Sequence, residues 1–102
     1  MLYVCTITIG DNARIESNCQ FLTPLHPLNP DERNSGLEFG KPITIGENFW
    51  AGGGAIVLPG VTLGENVVAG AGAVITKSFG DNVVLAGNSV RVIKEIPVKE
   101  EN

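Results

Sequence analysis

The side chain best suited to move a proton near neutral pH in this chain is its single histidine, His26. It stands immediately before residues 27–42 (P-L-N-P-D-E-R-N-S-G-L-E-F-G-K-P), a stretch that holds three of the six prolines and a dense set of polar groups. Ordered loops on rigid scaffolds carry chemistry more often than the scaffold does, so an imidazole at the mouth of this one is a candidate general base. The alternative is a hydrogen-bonded surface histidine. Glu38, inside the same stretch, offers a carboxylate that could orient an imidazole or hold hydroxyl groups, or be a solvated acid. Trp50, the only tryptophan, is placed to form an aromatic wall or a packing contact, and Arg33 and Lys41 read as anchors that fix the stretch through ion pairs. Two cysteines, Cys5 and Cys19, are too few for a disulfide framework and have no metal-ligand spacing. A reducing, cytoplasmic location is expected.

What must position these groups is written in a period of six. Aliphatic or aromatic residues recur in one phase at Ile9, Ile15 and Phe21, then at Ile45, Ala51, Val57, Leu63, Ala69 and Ile75. A second row, four residues into each hexad, holds Ala13, Cys19, Leu25, Phe49, Ala55, Val61, Val67, Ala73 and Phe79. Six matches neither the helical 3.6 nor the simple strand period of 2, but suits short strands joined by turns, with three hexads closing one triangular coil. Both rows are expected to point inward. Gly10, Gly46 and Gly64, with Asn12, Asn48 and Asn66, recur where corners need left-handed backbone. Residues 9–26, 45–62 and 63–80 make one coil each, 83–92 continue part of the way, and 27–42 are an excursion. The expected fold is all-β, a parallel β-solenoid of three to four coils, roughly 15 to 20 Å tall at the usual strand spacing. The β-helix domain covers 1–96 and a tail covers 97–102.

So short a stack buries each coil only against its neighbours. Outward Ile56, Leu58, Val68, Val74 and Val84 are expected to pack prism against prism, in a homotrimer. With seven Lys and Arg against eleven Asp and Glu, a net charge of −4 supplies no broad basic footprint for nucleic acid. The longest apolar candidate, from Phe49 to Val61, is broken by three glycines and Pro59, which excludes a spanning helix. Residues 1–9 carry no secretory signal pattern.

An ordered series of motifs goes further. His26-Pro27, then Glu32-Arg33-Asn34-Ser35-Gly36, Gly40-Lys41-Pro42, and Ile45-Gly46-Glu47-Asn48-Phe49-Trp50-Ala51-Gly52-Gly53 are followed by Pro59-Gly60-Val61-Thr62, Gly70-Ala71-Gly72, Val74-Ile75-Thr76-Lys77, and Gly87-Asn88 through Arg91-Val92-Ile93. This series resembles the hexapeptide-repeat acyltransferases, within them the maltose, galactoside and nodulation-factor type sugar O-acetyltransferases, over residues 4–96. The resemblance implies a left-handed β-helix, a hand that periodicity alone does not give. It also implies a trimer with each active site between two subunits, and acetyl-CoA as co-substrate.

On that resemblance the expected reaction is direct acetyl transfer to a sugar hydroxyl, with no metal. His26 takes the hydroxyl proton as the oxygen attacks and returns it to the departing thiolate, with Glu38 and Trp50 on the acceptor side. Gly52-Gly53-Gly54 and Gly70-Ala71-Gly72, one coil apart, would let a pantetheine arm approach the backbone; they are also what tight corners require. Gly53, Ala71, Thr76, Lys77, Arg91 and Lys94 stand at coenzyme A contact positions of the family, and Gly72 lies beside them. The cations Lys77, Arg91 and Lys94 would meet the phosphates.

Members of this family carry upstream coils that supply acceptor contacts and an oxyanion donor, a group whose loss commonly costs about 10²- to 10³-fold in turnover. The alternative expectation is therefore a catalytically weak or inert trimeric scaffold that still binds coenzyme A. A metal-dependent carbonic anhydrase on the same coil would need three histidines per site, which one histidine per chain does not supply.

Overall fold

Up to Ile75, runs of two or three strand residues alternate with acid-asparagine or glycine corners, so the chain turns before a strand grows long. The computed structural model describes residues 5–36 and 39–98. At one corner the asparagines Asn12, Asn48, Asn66 and Asn82 all adopt left-handed backbone, with φ of 62°, 60°, 55° and 59°. This conformation costs Asn less than other non-glycine residues.

Three parallel sheets form the faces of a triangular prism. Face one holds β1 (Ile7–Ile9), β6 (Ile43–Ile45) and β9 (Thr62–Leu63). Face two holds β2 (Arg14–Ile15), β7 (Trp50–Ala51), β10 (Val67–Ala69) and β12 (Val83–Gly87), and face three holds β3 (Gln20–Phe21), β8 (Ile56–Val57) and β11 (Val74–Ile75). Partners stand eighteen residues apart between the second and third coils, as in Trp50 with Val68 and Ile56 with Val74. Between the first and second coils they stand thirty-six apart, as in Ile7 with Ile43 and Gln20 with Ile56. The excursion therefore inserts one coil's length of chain and leaves the phase of six intact. The fold is the parallel β-helix that the repeats predict.

The two rows point inward. Ile43, Ile45, Phe49, Ala51, Ala55, Val57, Val61, Leu63, Val67, Ala69, Ala73, Ile75 and Leu85 are buried, with Ile9, Cys19 and Phe21 half-buried against them. In the first coil the same positions are more open, Ala13 being exposed and Ile15 retaining 42% of its surface. A solenoid interior is covered only by the rungs on either side of it.

Four expectations change in detail. The excursion leaves the coil earlier than residue 27, because β4 (Pro24–Leu25) already pairs antiparallel with β5 (Phe39–Gly40). Proline has no N–H to give a continuing ladder. The excursion also contains a five-residue helix, α1 (Pro30–Asn34), whose first turn is capped by the Asn29 side chain accepting from Asp31 N and Glu32 N. Next, the third coil is sixteen residues long rather than eighteen: Val67 pairs with Val83, and Phe79 stands over Leu63. Phe79 thus belongs to the first inward row, half-buried, and not to the second. β12 continues the coil as a further parallel rung on face two, as expected for the start of 83–92, but the chain then reverses into β13 (Val90–Glu95), which runs antiparallel, so the continuation stops at Gly87.

Candidate active site

The corner between faces three and one carries the excursion. Its stem is the β4–β5 pair, in register Pro24 with Gly40 and Leu25 with Phe39, extended by Lys41 N donating to the Thr23 carbonyl at 3.1 Å. His26 follows directly and is exposed, while Pro27 beside it is buried and ties the residue down from one side. An accessible imidazole on a hydrogen-bonded stem has the placement that general base chemistry needs. Glu38 lies outside the described residues. Thr76 and Lys77 lie at the same corner one coil above Leu58 and Pro59. The Lys77 ammonium rests over the Phe79 ring at 5.6 Å from its centroid, which is where the shortened third coil directs it.

Trp50 is elsewhere. It lies on the outer side of face two, 50% exposed, in a column with Arg14 below it and Val68, Val84 and Lys94 above. In a triangular prism face two is opposite the corner that carries His26. The two side chains do not meet within one chain.

The edge between faces two and three gathers a third set. Gly53 is half-buried and Ala71 and Gly72 are exposed, stacked through Gly72 N donating to the Gly53 carbonyl at 2.9 Å. Above them opens a cavity of about 310 Å³ lined by Ala86, Gly87, Asn88, Ser89, Arg91 and Ile93. Gly53, Ala71, Gly72 and Arg91 thus share one edge of the prism. Lys94, paired with Val84, is at the other end of β13. The glycines here serve the stack first: a methyl group on Gly52 would lie 2.6 Å from Ala71 N, whereas one on Gly53 would meet only the Ser17 carbonyl at 3.5 Å. Asn88 enters the sequence reading only as part of the Gly87-Asn88 motif and Ser89 not by name, although Gly-Asn-Ser between two Val-containing runs is a turn signal. Cys19, whose role the sequence left open, donates its thiol to the Gly52 carbonyl at 3.3 Å. Among the described residues no group of three or more His, Cys, Asp and Glu is gathered to hold a metal ion. No helix among them is long and apolar enough to cross a membrane.

Stacked hexads, a single excursion with a histidine at its stem and a glycine edge under an arginine-lined cavity define a class, the β-helices built from hexapeptide repeats. Residues 42–77 match the family described as bacterial transferase hexapeptide (six repeats). It is 71% identical over 100 residues to a Dictyostelium discoideum protein provisionally named an acetyltransferase, covering 98% of this chain and 53% of that protein. The solved structure of a maltose O-acetyltransferase from Clostridium difficile 630 superposes with a TM-score of 0.88 at 51% identity, over 90% of this chain and 49% of that one. A galactoside acetyltransferase in complex with coenzyme A superposes at 0.85 with 45% identity, over 89% and 46%. The chain spans about half the length of the relatives it matches.

Proposed function

We propose that the chain transfers the acetyl group of acetyl-CoA to a sugar hydroxyl, in a homotrimer whose active sites lie between neighbouring subunits. The observation that carries this reading is the exposed His26 on its paired stem, on the side of the prism opposite Trp50. If both serve one site, the tryptophan comes from the next chain. Contacts between two unlike patches give a closed ring when the rotation between copies closes. The relatives named above are acetyltransferases, one of them solved with coenzyme A, which supports the donor.

In this reading the neutral His26 imidazole accepts the acceptor's hydroxyl proton as the hydroxyl oxygen bonds to the thioester carbonyl carbon. The carbon–sulfur bond then breaks, and the imidazolium protonates the departing thiolate, leaving the ester, free coenzyme A and a neutral base. The small side of the prism edge at Gly53, Ala71 and Gly72 would admit the pantetheine arm, and Arg91 stands where a phosphate would be met. Within one chain Thr76 and Lys77 stand at the His26 corner and Lys94 in the Trp50 column, so these three would meet the same coenzyme A only from a neighbouring chain. Glu38 and Trp50 would flank the acceptor.

Incubating the full chain with acetyl-CoA and a panel of sugars, while following free thiol, tests the proposal. Acceptor-dependent release is expected, and His26→Ala should lower it by about 10²- to 10⁴-fold. A second reading is a trimeric scaffold that binds coenzyme A without turnover. No release from a folded assembly that still gives a calorimetric signal with coenzyme A would favour that scaffold.

A further inference from the structure

Among the described residues, the outer part of the excursion contributes little to holding its stem. Helix α1 buries no residue, and Leu28, two residues beyond His26, is 94% exposed. What fixes the stem lies on its return strand. Gly40 stands so close to the outgoing chain that a methyl group there would overlap the Thr23 carbonyl oxygen and come within 3.1 Å of Cys5 Sγ. The next residue, Lys41, reaches the second coil. Gly60, at the corner between faces three and one, has φ +82°, a conformation that excludes most side chains and leaves a hollow above the corner. The Lys41 hydrocarbon fills it: a methyl group at position 60 would lie 3.0 Å from Lys41 Cδ, 3.3 Å from Cβ and 3.8 Å from Cγ. Long cationic side chains commonly lay their methylenes on a surface in this way and leave the charge in water.

We infer that Lys41 is a positioning residue for His26, acting through its hydrocarbon laid across the Gly60 corner and not through its charge. The sequence suggests an anchor by ion pairing; the contact seen among the described residues is between methylenes and a bare backbone turn. Lys41 N also donates to Thr23 O, three residues before the imidazole, so the same residue clamps the stem by backbone and by side chain. As a statement about catalysis this rests on His26 being the base. As a statement about where the imidazole is held, it does not.

Because the chain has one histidine, its imidazole gives a single pair of carbon-bound proton resonances, which report position without any assay. Wild type, Lys41→Ala and Lys41→Met are compared by proton NMR, with Trp50 emission and circular dichroism confirming that each folds. Lys41→Met keeps a chain of similar reach and removes the charge. The expected result is that Lys41→Met retains the wild-type imidazole shifts, while Lys41→Ala moves them toward those of free histidine and broadens them. In the thiol-release assay Lys41→Ala should lower kcat about tenfold with KM for acetyl-CoA held, since small displacements of a catalytic group cost one to two powers of ten, and Lys41→Met should restore it. Should the alanine variant not fold, Lys41→Thr, which keeps Cβ and one γ carbon, gives the same comparison. Imidazole shifts unchanged on truncation, or altered as much by methionine as by alanine, would overturn the proposal. Absent transfer in the wild type with the expected shift pattern would instead overturn the catalytic reading and leave the clamp standing.

Discussion

At position 52 a single hydrogen separates a workable coil from a clash. The nearest neighbour of an added methyl is backbone, Ala71 N at 2.6 Å and Ala71 Cα at 3.0 Å, and backbone of the next rung cannot rotate out of the way. Gly52→Ala is expected to destabilise the chain by about 1–3 kcal/mol, the usual range for overpacking. Urea unfolding checks this, with Gly80→Ala as control. A methyl on Gly80 meets nothing within 4 Å, so that variant should stay within about 1 kcal/mol of wild type. The contrast shows what residue identity does and does not disclose. His26 was legible because it is the only imidazole and precedes a proline-rich interruption. The three consecutive glycines Gly52, Gly53 and Gly54 could not be told apart in sequence, because the difference lies in the facing rung. Gly53 has room, with the Ser17 carbonyl 3.5 Å from an added methyl, and so has Gly54, at 4.0 Å from Gly72, though its φ of +76° disfavours a side chain.

Element by element, the corner between faces one and two is a column of acids. Asp11, Glu47, Glu65 and Asp81 each precede a left-handed asparagine, and the backbone links them rung to rung. Asn48 N donates to Asp11 O at 2.9 Å, Asn66 N to Glu47 O at 2.8 Å and Asn82 N to Glu65 O at 2.9 Å. With rungs about 4.8 Å apart, Glu47 sits between two like charges on the exposed edge. Glu47→Gln should therefore raise stability by a few tenths of a kcal/mol at low ionic strength, a gain that fades as salt shortens the screening length below the rung spacing. Paired melting curves at low and high salt check it; a gain of equal size in both would point away from charge. The same column explains the one error of register. Counting apolar residues by six carries the phase through Phe79, since the hexad Ile75 to Gly80 fits. The acid-asparagine pairs mark the corners more strictly, and the last, Asp81-Asn82, falls sixteen residues after Glu65-Asn66. It is held there by Asp81 Oδ1 accepting from Glu65 N at 2.7 Å and by Asn66 Nδ2 donating to Asn82 Oδ1 at 3.0 Å. Polar corner hydrogen bonds outweighed the apolar phase, and the coil lost two residues. The reversal into β13 had no period to announce it.

As a whole molecule the prism has unlike faces. Face one presents a column of hydroxyls, Thr8, Thr44 and Thr62, in register. Face two presents Trp50, Val68 and Val84, and face three presents Ile56 and Val74, with the valines and the isoleucine half-buried and the tryptophan half-open. A half-exposed tryptophan over a valine column is the kind of surface that neighbouring copies cover. The proposed ring sets this face against the excursion corner of the next chain, which is also the arrangement that would bring Trp50 to a His26. One substitution separates assembly from folding. Val68 lies at the centre of the column, points outward, and its inward neighbours Val67 and Ala69 hold the core. Val68→Glu should therefore leave the circular dichroism of the β-helix intact while placing a carboxylate in the seam, where burial without a partner costs several kcal/mol. Sedimentation velocity should then show monomers in place of trimers, and thiol release should fall together with assembly. A trimer that survives the glutamate would put the seam elsewhere. Monomers that still release thiol with an acceptor present would mean that one prism suffices, and the opposition of His26 and Trp50 would no longer require a neighbour.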